Sequence, residues 1–478
     1  MKYHLITLGC QMNKSDSERV RTVIEGMGYI WTDLEEEANL LGILSCSVRQ
    51  KSIDKVYARI RKWNSWKNNR NLLTFASGCI LPLDREKFMR QFDLLFSIDE
   101  LPGLPDMIRQ YGVVTPSGSP AAATKEELAQ KRLAEGSSFT GILPGKTLSV
   151  IAKRPDDKIR DFWRLRPTFS SGFEAFIPIQ NGCDKFCTFC AVPYTRGREI
   201  SRPSAEILEE LKKLVESGCN AITLLGQNVN SYGLDREGKE ISFQELLRRI
   251  GEYGKNSSRE FWVYFTSPHP RDMAPELLEV IATYDCLAKQ IHLPLQSGDN
   301  KVLIRMNRKH SYEDYRNIIA NIRKILPQAT IFTDIIVGFA GETDEQFENT
   351  RKAMEELKFN MAYIAVYSPR PGVASSRWDD DVPMHVKKHR LHILTEELVK
   401  SSQNYNNTLM GREIKVLVTG HDRKPGFLSG ITEGRIVVRF QAGETIQPGT
   451  FVWLKITSAA SYSVEGELLP VNAAPELS

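Results

Sequence analysis

The chain has no apolar run approaching the length of a membrane span, which excludes a helical transmembrane protein. Its opening, MKYHLITLGC, lacks the layout of a secretory signal. No solenoid-length repeat recurs. Net charge is small, +4 over 478 residues, so no dominant basic field announces nucleic acid, although a local basic surface stays open. Eight cysteines without an export signal point to a reducing cytoplasm, where thiols serve metals or catalysis rather than disulfides. The length fits about three domains.

What is present is thiol in two groups of three. Cys183, Cys187 and Cys190 lie in GCDKFCTFCAVPYTRG, Gly182–Gly197. Cys-x₃-Cys-x₂-Cys spacing wraps one short loop around an iron–sulfur cube, each sulfur reaching a different iron. Such cubes normally take four thiolates, so three leave one iron open. Phe186, Phe189 and Tyr194 would shield the cluster from water. The alternatives are a zinc knuckle or three buried cysteines. Structural zinc wants four ligands, and the next histidine is His269.

The second group is Cys10, Cys46 and Cys79. Each follows an apolar run: Tyr3–Leu8, Leu40–Ser45 and Leu72–Ala76. With Leu94–Ile98 and the helical patterns Lys14–Met27 and Arg49–Trp66, residues 1–114 read as an open α/β, Rossmann-like unit with a parallel sheet. Ligands bind in the crevice beyond the strand C-terminal ends. Three thiols there would hold a second cluster, again with one iron free. Cysteine is often a small buried hydrophobe, but three after three successive strands are not ordinary. Cys219 and Cys286 read as core.

Residues 115–172 read as a linker. Thr115–Ala123 is rich in Pro, Ser, Gly and Ala, and Thr124–Ala134 has a helix-capping pattern. Lys153–Arg166 reads as a solvated connector, with a basic strap touching RNA phosphate as the sharper alternative. From 173 to 408, strand-like runs recur at Ala175–Ile179, Ala221–Leu225, Phe261–Phe265, Gln290–Leu295, Ile331–Val337 and Ala362–Val366, with helical patterns between them. Six βα steps argue for a parallel barrel or partial barrel, with its chemistry at the strand C-terminal ends. That rule nominates Gln227 and Asn228, Ser267 and His269, Gln296, Ser297, Arg305 and Arg308, then Asp334, Gly338 and Glu342. Helix capping or a turn is the plain alternative for each, above all for Ser297 and Asp334. His385–Arg390 opens a long polar helix to about Asn407, a solvated face or an RNA path. Residues 409–475 alternate apolar and polar over Glu413–Thr419, Arg435–Phe440 and Thr450–Ser458, the pattern of a small antiparallel β-barrel. Arg423, Lys424, Arg435 and Arg439 with Phe427, Phe440 and Trp453 would suit RNA; equally, the aromatics are core.

Cys-x₃-Cys-x-aromatic-Cys resembles the signature of the radical S-adenosylmethionine (SAM) enzymes, and NGCDKFCTFCAVPYTRGREISRP resembles their methylthiotransferase branch. GCQMNKSDSE, CSVRQKS and the Cys of SGC are similar to that branch's N-terminal domain. GCQMN and Asn307-Arg308-Lys309-His310 are similar to the members acting on isopentenyladenosine in tRNA. Leu44-Ser45 stands where Asn-Thr is usual, QSGD replaces QSGS, and FAGET replaces FPGET.

The resemblance implies a radical-SAM partial (β/α)₆ barrel and a C-terminal TRAM-like RNA-binding barrel. It implies two 4Fe–4S clusters, with all six cysteines as ligands and catalytic groups. It also implies SAM contacts from Gln227, Asn228, Ser267, His269, Gln296, Ser297, Arg308, Asp334 and Gly338. Two SAM molecules are consumed per turnover. One methylates the sulfur of the auxiliary cluster, and the other yields the radical that removes hydrogen from carbon two of the adenine. Expected partners are a tRNA anticodon stem-loop carrying isopentenyladenosine and an electron donor such as flavodoxin or ferredoxin. No membrane is expected, and the protein is expected to be a cytoplasmic monomer. The alternatives are transfer to threonylcarbamoyladenosine or a ribosomal-protein aspartate, and a non-catalytic iron–sulfur RNA-binding protein.

Overall fold

The computed structural model describes residues 1–48, 50–111, 155–442 and 446–470, with backbone alone over 155–157. The 115–134 segment, including the helix expected at Thr124–Ala134, lies outside the described residues.

The N-terminal apolar runs become parallel strands: β1 (Lys2–Thr7), β2 (Ile30–Trp31), β3 (Leu40–Cys46), β4 (Leu73–Cys79) and β5 (Leu94–Leu95). Their order is β2-β1-β3-β4-β5. β3 is buried at every residue, as a central parallel strand covered on both faces must be. Strand order reverses between β1 and β3, and an open sheet binds ligands beyond the strand ends at such a switch point. Cys10 follows β1, and Cys46 and Cys79 are register partners at the ends of β3 and β4.

Helix Gln11–Gly26 buries Asn13, Ser15, Asp16, Ser17, Glu18 and Arg19 along with its apolar face. Those polar groups meet the central unit and its approach. Lys14 pairs with Glu174 at 3.3 Å, and Glu18 accepts from Ser170 Oγ at 2.8 Å. The solvated reading of Lys153–Arg166 gives way over Pro155–Arg164, which is a helix. Its Ile159, Phe162 and Trp163 complete the N-terminal core, and Lys158 Nζ lies 3.0 Å from Glu100.

Six parallel strands build the central unit: β6 (Glu174–Pro178), β9 (Ala221–Leu225), β10 (Trp262–Phe265), β11 (Gln290–His292), β12 (Thr330–Val337) and β13 (Met361–Val366). A short ladder, β7 (Gln180–Asn181) with β8 (Ile200–Ser201), lies between the first two. β10-β9-β6 and β11-β12-β13 are joined by a parallel bridge from Val263 to Leu287, giving one curved partial barrel with helices outside. Helix Met384–Asn407 is not simply solvated: Lys387 is fully buried beside Asp380, and Arg390 pairs with Glu342 at 2.8 Å.

The C-terminal unit is a closed barrel of β14 (Glu413–His421), β15 (Phe427–Thr432), β16 (Val437–Gln441), β17 (Phe451–Ala459) and β18 (Ser463–Leu468). It seals the floor of the partial barrel. Leu417 and Phe451 pack on Ala221 and Trp262, the first residues of β9 and β10. Thr330 at the start of β12 donates to the Gly434 carbonyl at 2.7 Å. Phe440 is fully buried in the small barrel's core, so it offers no ring to RNA. Arg435 turns inward to Thr223 Oγ1 at 2.9 Å and over the Tyr264 ring. Arg423 and Lys424 remain exposed, with Lys424 3.8 Å from the Phe427 ring centre.

Candidate functional site

The Cys183–Cys190 loop leaves the sheet after β6 and returns to β8, its base pinned by the β7–β8 ladder. Gly182 has φ +82°, and a Cβ there would stand 2.1 Å from the Arg198 carbonyl oxygen, so only glycine turns this corner. Gln227 accepts from the Gly182 N–H at 2.6 Å and thus braces the loop. Lys185 pairs with Asp272 at 2.5 Å, and Asn307 donates to the Phe186 carbonyl at 2.9 Å. Phe186 itself is held at φ +48°. Phe189 is half-buried and packs edge-on to Phe339 at 6.4 Å. Phe186 and Tyr194 are exposed.

Burial pushes the Cys183 thiol up to about 11 and Cys190 up to about 12. Such thiols bind metal by giving up a proton that the metal replaces. A buried arginine stands ready for the resulting charge: Arg308 Nη1 is 3.4 Å from Cys187 Sγ, and its Nη2 donates to the Pro294 carbonyl.

The N-terminal thiols meet at the switch point. A Cβ on Gly9 would touch Cys46 Sγ at 3.1 Å. Burial raises Cys79 to about 11, with Arg196 opposing and Cys10 and Cys46 adding to the rise. Asn13, the Asn of GCQMN, is fully buried. Its amide donates to the Leu8 and Ser45 carbonyls at 2.6 and 2.8 Å, tying the ends of β1 and β3 together. Arg196, six residues past Cys190, reaches across and places Nε 3.0 Å from Cys79 Sγ. This contact links the segment after Cys190 to Cys79, which is buried, while Cys10 is exposed.

The other nominated residues separate into two sets. Around the barrel mouth, Asn228 is buried and its Nδ2 donates to Asp272 at 3.2 Å, leaving a buried Oδ1 without a partner. His269 Nδ1 accepts from the Arg271 N–H at 3.2 Å, so the neutral ring carries its proton on Nε2, also buried and unpartnered. Burial first, then Arg308 and His310, push His269 down to about 2, and it stays neutral. Ser267 and Gln296 take left-handed φ of +57° and +74° beside these groups. Gln296 bonds through its backbone to β12.

The second set does structural work. Ser297 is fully buried against Thr350 Oγ1 at 3.2 Å and accepts from the Asp299 N–H, the turn alternative. Gly338 gives room to Lys387, whose Cγ would lie 2.3 Å from a Cβ there. Glu342 neutralises Arg390, and Arg305 donates to the Gly341 carbonyl. Asp334 pairs with His292 at 2.8 Å inside the barrel.

Sequence reasoning did not single out Arg196, Asn13, Asp16, Asn181 or Glu199. Burial raises Glu199 to about 7. All five lie inside or beside the quoted motifs, which were their only signal.

Each thiol group offers three sulfurs, one fewer than the four ligands of structural zinc. The thiolates of a cube bind separate irons. The unpartnered Asn228 Oδ1, His269 Nε2 and Arg308 Nε give the mouth an acceptor and donors for a polar ligand beside the Cys187 loop.

The Radical SAM superfamily matches residues 177–354, and the family described as Uncharacterized protein family UPF0004 matches residues 2–97. Three curated proteins named tRNA-2-methylthio-N(6)-dimethylallyladenosine synthase align over nearly the whole chain. The Haemophilus influenzae protein is 35% identical, covering 98% of this chain and 92% of the relative. That of Oceanobacillus iheyensis is 36% identical, covering 98% and 84%. That of Dictyoglomus thermophilum is 35% identical, covering 98% of both. Among solved structures, the apo cobalamin-dependent SAM radical enzyme OxsB superposes with a TM-score of 0.51 at 11% identity, over 83% of this chain and 56% of that one. That likeness concerns fold alone.

Proposed function

We propose a division of labour between the two thiol sites of this chain, which belongs to the tRNA-2-methylthio-N(6)-dimethylallyladenosine synthase family of radical SAM methylthiotransferases. The protein is a transferase that methylthiolates carbon two of N6-isopentenyladenosine in tRNA, using 4Fe–4S clusters and SAM. When bound, these groups supply the electron, the carbon radical and the methylated sulfur that an aromatic carbon requires.

Cys183, Cys187 and Cys190 would hold the SAM-cleaving cluster, and Cys10, Cys46 and Cys79 the auxiliary one. The observation that supports this is the Arg196–Cys79 contact, which ties the segment following Cys190 to a thiol of the other group. Asn228 Oδ1 offers an acceptor for an ammonium or hydroxyl of SAM. His269 Nε2–H offers a donor. Arg308 places positive charge where a carboxylate would sit near Cys187. Gln227 fixes the loop, and Ser267 and Gln296 shape the surrounding backbone. Asp334, Ser297 and Gly338 support the barrel rather than the ligand. The small barrel closes the floor of the partial barrel through Leu417 and Phe451, and a carbon radical requires shelter from water.

In this reading residues 1–114 carry the auxiliary site, 173–408 the radical-SAM core and 409–475 the RNA-binding unit. The substrate is a tRNA anticodon stem-loop with its modified base drawn out of the stack. A flavodoxin or ferredoxin donates the electron to a cytoplasmic monomer. Among the described residues no helix is long and apolar enough to cross a membrane.

The test is nucleoside analysis of tRNA from a deletion strain carrying wild-type, Cys10→Ala or Cys187→Ala protein. Wild type should restore 2-methylthio-N6-isopentenyladenosine, and neither variant should. Under anaerobic reduction with SAM, Cys187→Ala should make no 5′-deoxyadenosine yet keep about four irons. Restoration by Cys10→Ala would refute the sulfur-donor role.

A further inference from the structure

We propose that Arg196 is a positioning residue that tunes the auxiliary site: it holds Cys79 by a charge-assisted hydrogen bond and registers that site against the SAM-site loop. The proposal rests on the reading that Cys10, Cys46 and Cys79 hold a cluster.

Arg196 ends the short helix Val192–Arg196, which begins just after Cys190. Its side chain is 4% exposed. All three guanidinium nitrogens are committed. Nε reaches Cys79 Sγ at 3.0 Å. Nη1 donates to Asn181 Oδ1 at 3.2 Å. Nη2 donates to Asn13 Oδ1 at 3.1 Å and pairs with Asp16 at 2.5 Å.

These partners fall on two units. Asn13, Asp16 and Cys79 belong to the N-terminal sheet and its first helix. Asn181 immediately precedes Gly182, where the SAM-site loop begins, and returns a bond from Nδ2 to the Arg196 carbonyl at 3.0 Å. One guanidinium thus ties the entry and exit of one cluster loop to a ligand of the other.

The Asp16 pair joins the two units without any thiol. The bond to Cys79 is additional, and its effect is electronic. A donor on a ligand sulfur, with positive charge behind it, favours the more negative, reduced state of the cluster. Arg196 therefore raises the potential of the auxiliary site. Arg308 bears on Cys187 in the same way, but from within the barrel. Arg196 is different in serving the site to which its own segment does not belong.

The experiment uses the full chain with Cys183, Cys187 and Cys190 all changed to Ala, so that only the N-terminal site can hold iron. Arg196, Arg196→Lys and Arg196→Gln versions are reconstituted anaerobically. Iron and sulfide are counted, and the midpoint potential is read by EPR-monitored titration. Amide exchange of helix Gln11–Gly26 is measured on the metal-free proteins. The expected result is retained iron with a midpoint displaced to more negative potential in Arg196→Gln, and a smaller displacement in Arg196→Lys, which keeps charge but not the fork. Should Arg196→Gln fail to fold, Arg196→Lys decides alone. Faster exchange with an unchanged midpoint and EPR signal would make Arg196 a docking residue only and overturn the proposal. Absence of iron in the version retaining Arg196 would instead overturn the cluster reading beneath it.

Discussion

Gly182 shows how one residue controls a site without touching a ligand. Its backbone lies where a Cβ would strike the Arg198 carbonyl oxygen at 2.1 Å. Gly182→Ala should open the β7–β8 base, lose the SAM-site cluster and leave the auxiliary one, so that iron falls from about eight to about four per chain. The histidines predict pH behaviour. Burial and Arg308 push His310 down to about 4 and His269 to about 2, against an ordinary value of 6.5. Both stay neutral in the folded protein while the unfolded chain takes up protons, so stability is full above pH 6.5 and falls as pH drops below it. For His310 that loss continues until about pH 4. Thermal melting of the metal-free protein should show this decline, and His310→Asn should make it shallower. The six thiols stood out in the sequence because their spacing and their places after strands are linear properties. Arg196 and Asn13 did not, because their meaning lies in contacts between residues 117 and 66 positions apart, respectively, with Cys79.

Elements with a long apolar period were legible from sequence, and those stabilised by pairing were not. All six barrel strands fall within a few residues of where their patterns put them. The two-residue strands β2, β7 and β8 carry no period to read, whereas β5 lies inside the apolar run Leu94–Ile98. β15 and β18 each have a glycine at a buried inward position, Gly430 and Gly466, which breaks the apolar alternation. Helix Pro155–Arg164 misled for another reason: its charges are conspicuous in sequence, while its three buried apolar residues act as one face of a distant core. Phe162→Ala should therefore cost about 3–5 kcal/mol, as for a core aromatic. A denaturant midpoint monitored by a probe in the N-terminal unit would read this. A connector in solvent would leave the midpoint unmoved.

At the scale of the molecule, the partial barrel meets the thiol unit through helix Gln11–Gly26 and the small barrel through the starts of β9, β10 and β12. The floor contacts of Leu417, Phe451 and Arg435 turn one side of the small barrel inward. Its outer cations include Arg423 and Lys424, which are exposed, and Arg439, which pairs with Asp422 at 3.0 Å. Changing Arg423 and Lys424 to Gln together should weaken tRNA binding and lower the slope of log affinity against log salt by up to about 2. Production of 5′-deoxyadenosine without tRNA should be unchanged. The three-unit plan was readable from composition and strand spacing. How the units lock together was not, because the buried polar residues of helix Gln11–Gly26 look like an ordinary surface helix until their partners are known.

That helix sets an order of assembly. Arg19 is fully buried against Phe162 and 3.7 Å from Glu210, and Glu18 binds Ser170. These partners are translated some 140 to 190 residues after the helix itself. On a chain leaving the ribosome, Cys10, Cys46 and Cys79 are all made before the partners that bury Arg19 and Glu18, so the polar face of this helix stays open to water until the start of the barrel emerges.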